Sequence, residues 1–280
     1  MLPFAFLLFL SSFLSLPVLA AEPPIDLLEE DVGRVEGLLE DDREDTLLEA
    51  QQRERALSKE LFPEPAQGED ERAASITHVF FQEAGTTVIL WDVPLRAWYA
   101  PYVRYAATRG IVSGYRDAAS KPVGAFGPGN PVLIEELAKM AVEASGLDLA
   151  LCGGEPRNST AAGRWSAPYI ACAEGQGWAI YSDAVVDVLR PALRNEVIVT
   201  VLQAFQVSLK PLSGTGRIFS DVSASVQFAS AIETAARAGI VSGHMNPDGS
   251  RLTGEFKPAS PVNRAEVAKI LTLALQLYAK

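Results

Sequence analysis

The chain of 280 residues is poor in the side chains that hold metals or relay protons. Two histidines and two cysteines leave almost nothing for a protein-ligated zinc ion, an iron–sulfur cluster or a histidine-based relay, so no metal and no cofactor is expected. No G-x-S-x-G, H-E-x-x-H, P-loop or dinucleotide fingerprint occurs, and the chain reads as a protein that is not an enzyme. Glycine (21) and proline (18) are near their ordinary frequencies, which excludes collagen-like and Pro-rich designs. Basic excess is missing as well. A formal net charge of −11 argues against nucleic acid as a partner.

What charge there is lies unevenly. Residues 22–75 carry 18 Asp and Glu against 6 Lys and Arg, whereas residues 76–280 carry 17 against 18. An acidic segment therefore precedes a nearly neutral one that is apolar enough to fold. The first twenty residues, MLPFAFLLFLSSFLSLPVLA, have no charged side chain and end in Val18-Leu19-Ala20, which reads as a signal peptide cut after Ala20. The alternative is an uncleaved N-terminal membrane anchor, because about eighteen apolar residues just span a bilayer. Either way the protein is expected outside the cytoplasm, secreted or at the cell envelope.

Export changes how the two cysteines read. Cys152 and Cys172 are the only pair, and an oxidising compartment lets them join. Two buried free thiols are the alternative. Asn158-Ser159-Thr160 matches a glycosylation acceptor, a tripeptide that is common by chance.

In the acidic segment the apolar positions Ile25, Leu28, Val32, Val35 and Leu39 are spaced 3-4-3-4, and Leu47, Ala50, Glu54, Leu57 and Leu61 repeat the spacing with one acidic member. The spacing predicts two short helical pieces separated by EDDREDT. These residues, 25–61, either self-associate, hold a protein partner or serve as a solvated spacer. Phe62-Pro63-Glu64-Pro65 ends the helix, and the arm is expected to be dispensable for the folding of residues 90–280.

Self-similarity is the strongest feature of the remainder. Trp91-Asp92-Val93 is answered by Ser220-Asp221-Val222, and GIVSG at 110–114 recurs unchanged at 239–243. Trp98-Tyr99-Ala100-Pro101-Tyr102-Val103 is echoed 67 residues later by Trp165-Ser166-Ala167-Pro168-Tyr169-Ile170. Each copy closes with a helical run after a proline: PVLIEELAKMAV, PALRNEVIVTVL and PVNRAEVAKILTLAL. Helices are expected over 98–109 and 228–238, each stopped by a glycine suited to a left-handed cap, Gly110 and Gly239. Pro131, Pro191 and Pro261 stand just before the closing helices, and Asn263 with Glu266 forms a capping box. Such a helix–loop–helix unit cannot bury its apolar stripe alone, so the copies must pack together.

These residues resemble the S-layer homology (SLH) module, with its pattern F-x-D-V, WY-x-x-Y-V, GIV-x-GY-x-D-G-x-F-x-P and ITRAE-F-A. The chain then divides into a signal peptide (1–20), an acidic helical arm and linker (21–75), SLH repeat 1 with a lead-in (76–146), a shortened repeat 2 (147–210) and repeat 3 (211–280). The resemblance implies a mainly α fold, three helix–loop–helix repeats in a pseudo-threefold helical bundle. It also implies non-covalent anchoring to cell-wall polysaccharide carrying acidic or pyruvylated sugars, in grooves between repeats. The arginine of ITRAE matches Arg194 and Arg264, while repeat 1 has Ile134 there. Asp92 and Asp221 match the aspartate of F-x-D-V, and either reach sugar or cap a turn. Trp98 and Trp165 either stack on a pyranose or belong to the core. Gly114 and Gly243 permit close backbone approach, and Tyr115 and His244 follow them within reach of a ligand. Glu135-Glu136 is expected on a surface helix, offsetting Lys139. A second reading makes the chain a structural or assembly protein whose degenerate repeats bind no glycan and whose arm oligomerises.

Overall fold

Three prolines and the residues beside them organise this molecule. Pro131, Pro191 and Pro261 each open a three-residue extended segment, and the residue after each one joins a closed ring of backbone hydrogen bonds. Val132 N donates to Val262 O (2.9 Å), Val262 N to Ala192 O (3.3 Å) and Ala192 N to Val132 O (2.8 Å). Bridges pair Leu133 with Pro191, Leu193 with Pro261 and Asn263 with Pro131. A proline has no N–H to give, and here none is needed, because the ring uses its neighbour. The prolines thus lie outside the helices, not at the first helical position.

The computed structural model describes residues 29–63, 77–210, 212, 217–246, 248 and 250–279, so the apolar leader at 1–20 lies outside the described residues. The chain divides into two units, residues 1–38 and 39–280. The described part of the first is helical from Glu29. The second is mainly α. The element order is α1 (Glu29–Leu61), β1 (His78–Glu83), β2 (Thr86–Pro94), α2 (Ala100–Thr108), α3 (Ile134–Ser145), α4 (Leu149–Cys152), α5 (Ala167–Gly175), α6 (Arg194–Ala204), α7 (Ala229–Ala238) and α8 (Arg264–Tyr278). No helix among the described residues is long and apolar enough to cross a membrane.

Ring residues run straight into α3, α6 and α8, and these three helices pack on one another. Each also takes the shorter helix of the next copy in cyclic order: α3 takes α5, α6 takes α7 and α8 takes α2. The first turns show the same exchange. Ile134 N and Glu135 N donate to Arg190 O and Val188 O, Arg194 N and Asn195 N to Ser260 O and Pro258 O, and Arg264 N and Ala265 N to Asn130 O and Pro128 O. Six helix-terminal amides that would otherwise be orphaned are satisfied by a neighbouring copy. Caps complete the starts. Asn263 Oδ1 accepts from Glu266 N at 2.9 Å, and Glu266 accepts in return from Asn263 N at 3.3 Å, a full capping box. Leu133 and Leu193 have no side-chain acceptor, and only the bond from their own N–H to Glu136 or Glu196 remains. Val132, Ile134, Leu137, Val197, Leu202, Val267 and Leu271 are fully or almost fully buried in the resulting core.

One element is new and two expectations change. The lead-in to repeat 1 is a β-hairpin, β1 pairing antiparallel with β2, that turns at Ala84 and Gly85, both at positive φ. The two helical pieces of the arm are one helix, α1, with EDDREDT inside it. Its C-terminal half packs on the fold instead of standing apart: Leu47 and Ala50 are buried, Ser58 Oγ meets Tyr102 Oη at 2.6 Å, and Phe62 lies edge-on to Tyr102 and Tyr105. The expectation of a disulfide holds. Cys152 on α4 is bonded to Cys172 on α5, with Cα atoms 4.7 Å apart. Asn158 of the acceptor tripeptide is 1% exposed and donates its amide to Val186 O at 2.7 Å, so the folded chain offers no nitrogen there for a glycan.

Candidate groove sites

After Gly110 and Gly239, both left-handed as expected, the chain runs Ile-Val-Ser-Gly and turns back. The return is tight. A Cβ on Gly114 would sit 2.8 Å from Ala125 O, and one on Gly243 2.8 Å from Glu255 O, because the next amides, Tyr115 N and His244 N, donate to those same carbonyls. Each loop forms one wall of a groove, and the closing helix of its own copy forms another.

The first groove is lined by Ser113, Gly114 and Tyr115 from the loop and by Glu136, Lys139 and Met140 of α3. Trp165 before α5 and Arg264 of α8 complete it. The second repeats the pattern with Ser242, Gly243 and His244, with Glu266, Lys269 and Ile270 of α8, with Trp98 before α2 and with Arg194 of α6. The arginine of each closing helix is therefore lent to the loop of the next copy. This regrouping corrects which groove is incomplete. Ile134 belongs with the shortened loop of repeat 2, so both losses fall at one place and not at two. Tyr181 stands there at the register of Gly114 and Gly243, four residues past Gly177. Its ring is buried, and its hydroxyl donates to Ile134 O at 3.0 Å. Burial pushes the phenol well above its ordinary range, so it stays protonated. Glu196, with no arginine to meet from position 134, pairs with Arg190 at 2.6 Å instead.

The two arginines differ in what they touch. Arg264 is 4% exposed. It donates from Nε to Phe126 O (2.8 Å), from one terminal nitrogen to Glu136 (2.7 Å) and from the other to Ser113 O (3.1 Å). Its guanidinium lies 5.0 Å over the Tyr115 ring and 4.9 Å over Phe126. Arg194 is nearly as buried, yet its Nε has no hydrogen-bond partner. One terminal nitrogen reaches Glu266 at 3.4 Å, and the guanidinium stacks 4.9 Å over Phe256. Burial lowers the pKa of Arg194 from its ordinary value, against the opposing pull of Glu266 and Glu54.

The lysines differ more. Lys139 forms no ion pair among the described residues, and Nζ reaches only the carbonyls of Gly110 and Ile111, at 3.5 and 3.4 Å. Burial pulls its ammonium below its usual range, with Glu143 opposing and the nearby Arg264 and Arg116 adding to the effect. Lys269 meets Glu54 of α1 at 2.5 Å and lies 5.8 Å over the Trp98 ring.

The remaining expected site residues divide between groove edge and scaffold. Trp98 and Trp165 are not core: they are 56% and 53% exposed at the groove edges. Tyr115 lies over Arg264 and accepts from Asn130 Nδ2 at 2.9 Å, and His244 lines the second groove with a buried, unpartnered Nε2. Asp92 and Asp221 line neither groove. Asp92 accepts from Phe126 N and Gly127 N, and Asp221 from Phe256 N and Lys257 N, at 2.7 to 2.8 Å, which uses both oxygens of each carboxylate to hold a turn. Glu135 is not a surface carboxylate offsetting Lys139. It is buried and takes Arg164 bidentately (2.7 and 2.9 Å) and Ser166 (2.7 Å). Burial alone would raise its pKa, but these hydrogen bonds hold the carboxyl below its ordinary value. Lys139, Lys269 and Glu54 were not singled out as site residues from sequence.

Residues 92–133 and 218–268 match the family model of the S-layer homology domain, about a third of the chain, and the intervening copy is not matched. No curated relative matches the chain.

Proposed function

We propose that this chain is an exported cell-envelope protein, not an enzyme, that holds an acidic cell-wall polysaccharide non-covalently in grooves between three SLH repeats arranged about a pseudo-threefold axis. SLH domains generally anchor proteins to cell-wall polymers, and two matched segments carry that role to this chain. The cyclic hydrogen-bond ring and the exchanged helix pairs support a third repeat over 147–210, which sequence similarity alone does not reach.

One observation carries the glycan reading. In the first groove, a lysine with no ion pair among the described residues shares the lining with a buried arginine and a half-exposed tryptophan. An ammonium at Lys139 offers a charged hydrogen bond to a sugar carboxylate, and Trp165 offers a flat apolar face to the ring. Arg264 contributes field and shape more than a free fork, because Phe126, Ser113 and Glu136 already hold it. That commitment is what favours the second reading, a structural envelope protein in which the arginine only fastens copies together.

The test is retention of the full chain on purified cell-wall sacculi, before and after extraction of the secondary polysaccharide. Lys139→Met and Trp165→Ala, folded as judged by their melts, are expected to lose retention about tenfold or more, a charged hydrogen bond's worth. Retention equal to wild type in both would leave the structural reading.

A further inference from the structure

The second groove is already occupied by a carboxylate, and it belongs to the chain itself. Glu54 lies on the buried side of α1, with its side chain 12% exposed. Oε1 meets Lys269 Nζ at 2.5 Å, and Oε2 accepts from Ser242 Oγ at 2.8 Å. Lys269 and Ser242 are the counterparts of Lys139 and Ser113 in the first groove, whose lining among the described residues includes no side chain from α1. The helix is held close to do this. A Cβ on Gly239 would lie 2.7 Å from Arg53 Cβ and 2.9 Å from Glu54 N, and Arg53 donates to Arg237 O at 2.6 Å. Ala50, one turn earlier, is buried.

Resting on the glycan reading above, we infer that Glu54 is an internal ligand of the second groove: α1 places its carboxylate on Lys269 and Ser242 and closes that groove to an anionic sugar until the helix lifts. Two features make the contact more than a fastening. Arg194 in the same groove keeps an unpartnered buried Nε, a donor left over after Glu54 is seated. The contact also occupies the groove's lysine, the group through which the first groove is read as binding sugar. A protein with two sites of the same construction would then present one open and one capped, and lifting α1 would convert monovalent to bivalent attachment.

The experiment is calorimetric titration of the full chain with the methyl glycoside of a 4,6-pyruvylated hexose. Wild type is expected to bind one equivalent and Glu54→Gln two, and Lys269→Met added to Glu54→Gln is expected to return the count to one. Ala50→Glu, which dislodges α1 by placing a charge in its buried face, is a second route to two equivalents should Glu54→Gln fold poorly. One equivalent in wild type and in both uncapped variants would overturn the cap while leaving the glycan reading standing. Two equivalents in wild type would also overturn it. No binding in any form would overturn both the glycan reading and the cap.

Discussion

The first and second grooves are built at the same register from the same kinds of residue, Arg264 and Arg194, Glu136 and Glu266, Lys139 and Lys269, Trp165 and Trp98. They differ in what faces the lysine. Among the described residues one ammonium forms no ion pair and reaches two carbonyls at 3.4 and 3.5 Å, whereas the other has a carboxylate at 2.5 Å that comes from a helix outside the repeats. The repeat pattern therefore sets the shape of a groove and not its occupancy. The copy over 147–210 makes the same point in another way, since Tyr181, at the register of Gly114 and Gly243, is buried with its hydroxyl on Ile134 O.

The most severe perturbation removes the helix that makes the grooves unequal. Deleting residues 22–76 strips Leu47, Ala50 and the Phe62 ring contacts from the fold and leaves Lys269 without its partner. At about 25 cal/mol per Å² of apolar area, with an ion pair lost besides, the cost is about 4 kcal/mol, or a midpoint roughly 10 °C lower for a domain of this size. A melt within about 2 °C of wild type would mean that α1 does not dock. The disulfide ranks next, and it touches only the first groove, since Cys172 lies on the helix that follows Trp165. The double variant Cys152→Ser, Cys172→Ser is expected to lose about 3 kcal/mol from loop closure, with a midpoint about 8 °C lower. Scanning calorimetry reads both.

Much of this architecture was legible because it repeats. Glycine caps, closing helices and the Asn263 box follow from local patterns, and the copies fix their own lengths. Three things were not legible. The exchange of closing helices between copies leaves no mark in spacing, so Arg264 and Tyr115 could not be assigned to one groove, nor Ile134 and Tyr181 to another. The hairpin has no counterpart in the other copies among the described residues, so self-similarity does not mark it, although Val79, Phe81, Val88 and Leu90 alternate about Ala84-Gly85. Glu54 was visible as the one acidic member of an apolar 3-4-3-4 run. Read alone, it looks like a flaw in a coiled coil. Its reason is a lysine on α8, far along the chain, which periodicity within the arm cannot reveal.

A gentler test separates the walls of the first groove from its floor. Glu135 holds Arg164 and Ser166 on either side of Trp165, an arrangement the second groove lacks because Ala265 stands at the matching position. Glu135→Gln is expected to cost about 2 kcal/mol at neutral pH, the loss of charged hydrogen bonds from a buried carboxylate. The carboxyl is held below its ordinary value in the folded chain. Its contribution is therefore full above the unfolded carboxylate pKa of about 4.3 and is lost as pH falls through the folded value. Denaturant melts of wild type and variant should converge in acid. A gap that stays constant from pH 7 to pH 3 would mean that the pair contributes packing and not charge.

The least effect is expected at Tyr115 and His244, matched loop positions at which the two grooves hold different chemistry. His244 is held below the ordinary histidine value, first by burial and then by Arg194 and Lys257, with Glu266 and Asp221 opposing. A depressed folded pKa means that the unfolded chain takes up a proton first as pH falls. Stability is then full above the unfolded value of about 6.5 and declines below it until the folded value is passed. His244→Tyr, which installs the first groove's residue in the second, should flatten the stability profile between pH 7 and pH 5 by up to about one proton's slope. Ordinary carboxylates titrate below that window and should contribute equally to both forms. The unpartnered Nε2 adds a consequence for binding. In the Glu54→Gln background a sugar carboxylate entering the second groove would favour His244 in its charged form, so affinity there should rise from pH 7 to pH 5. The first groove, with a tyrosine at that position, should show no such rise over the same range. Equal pH profiles in the two grooves would mean that residues 115 and 244 only shape them.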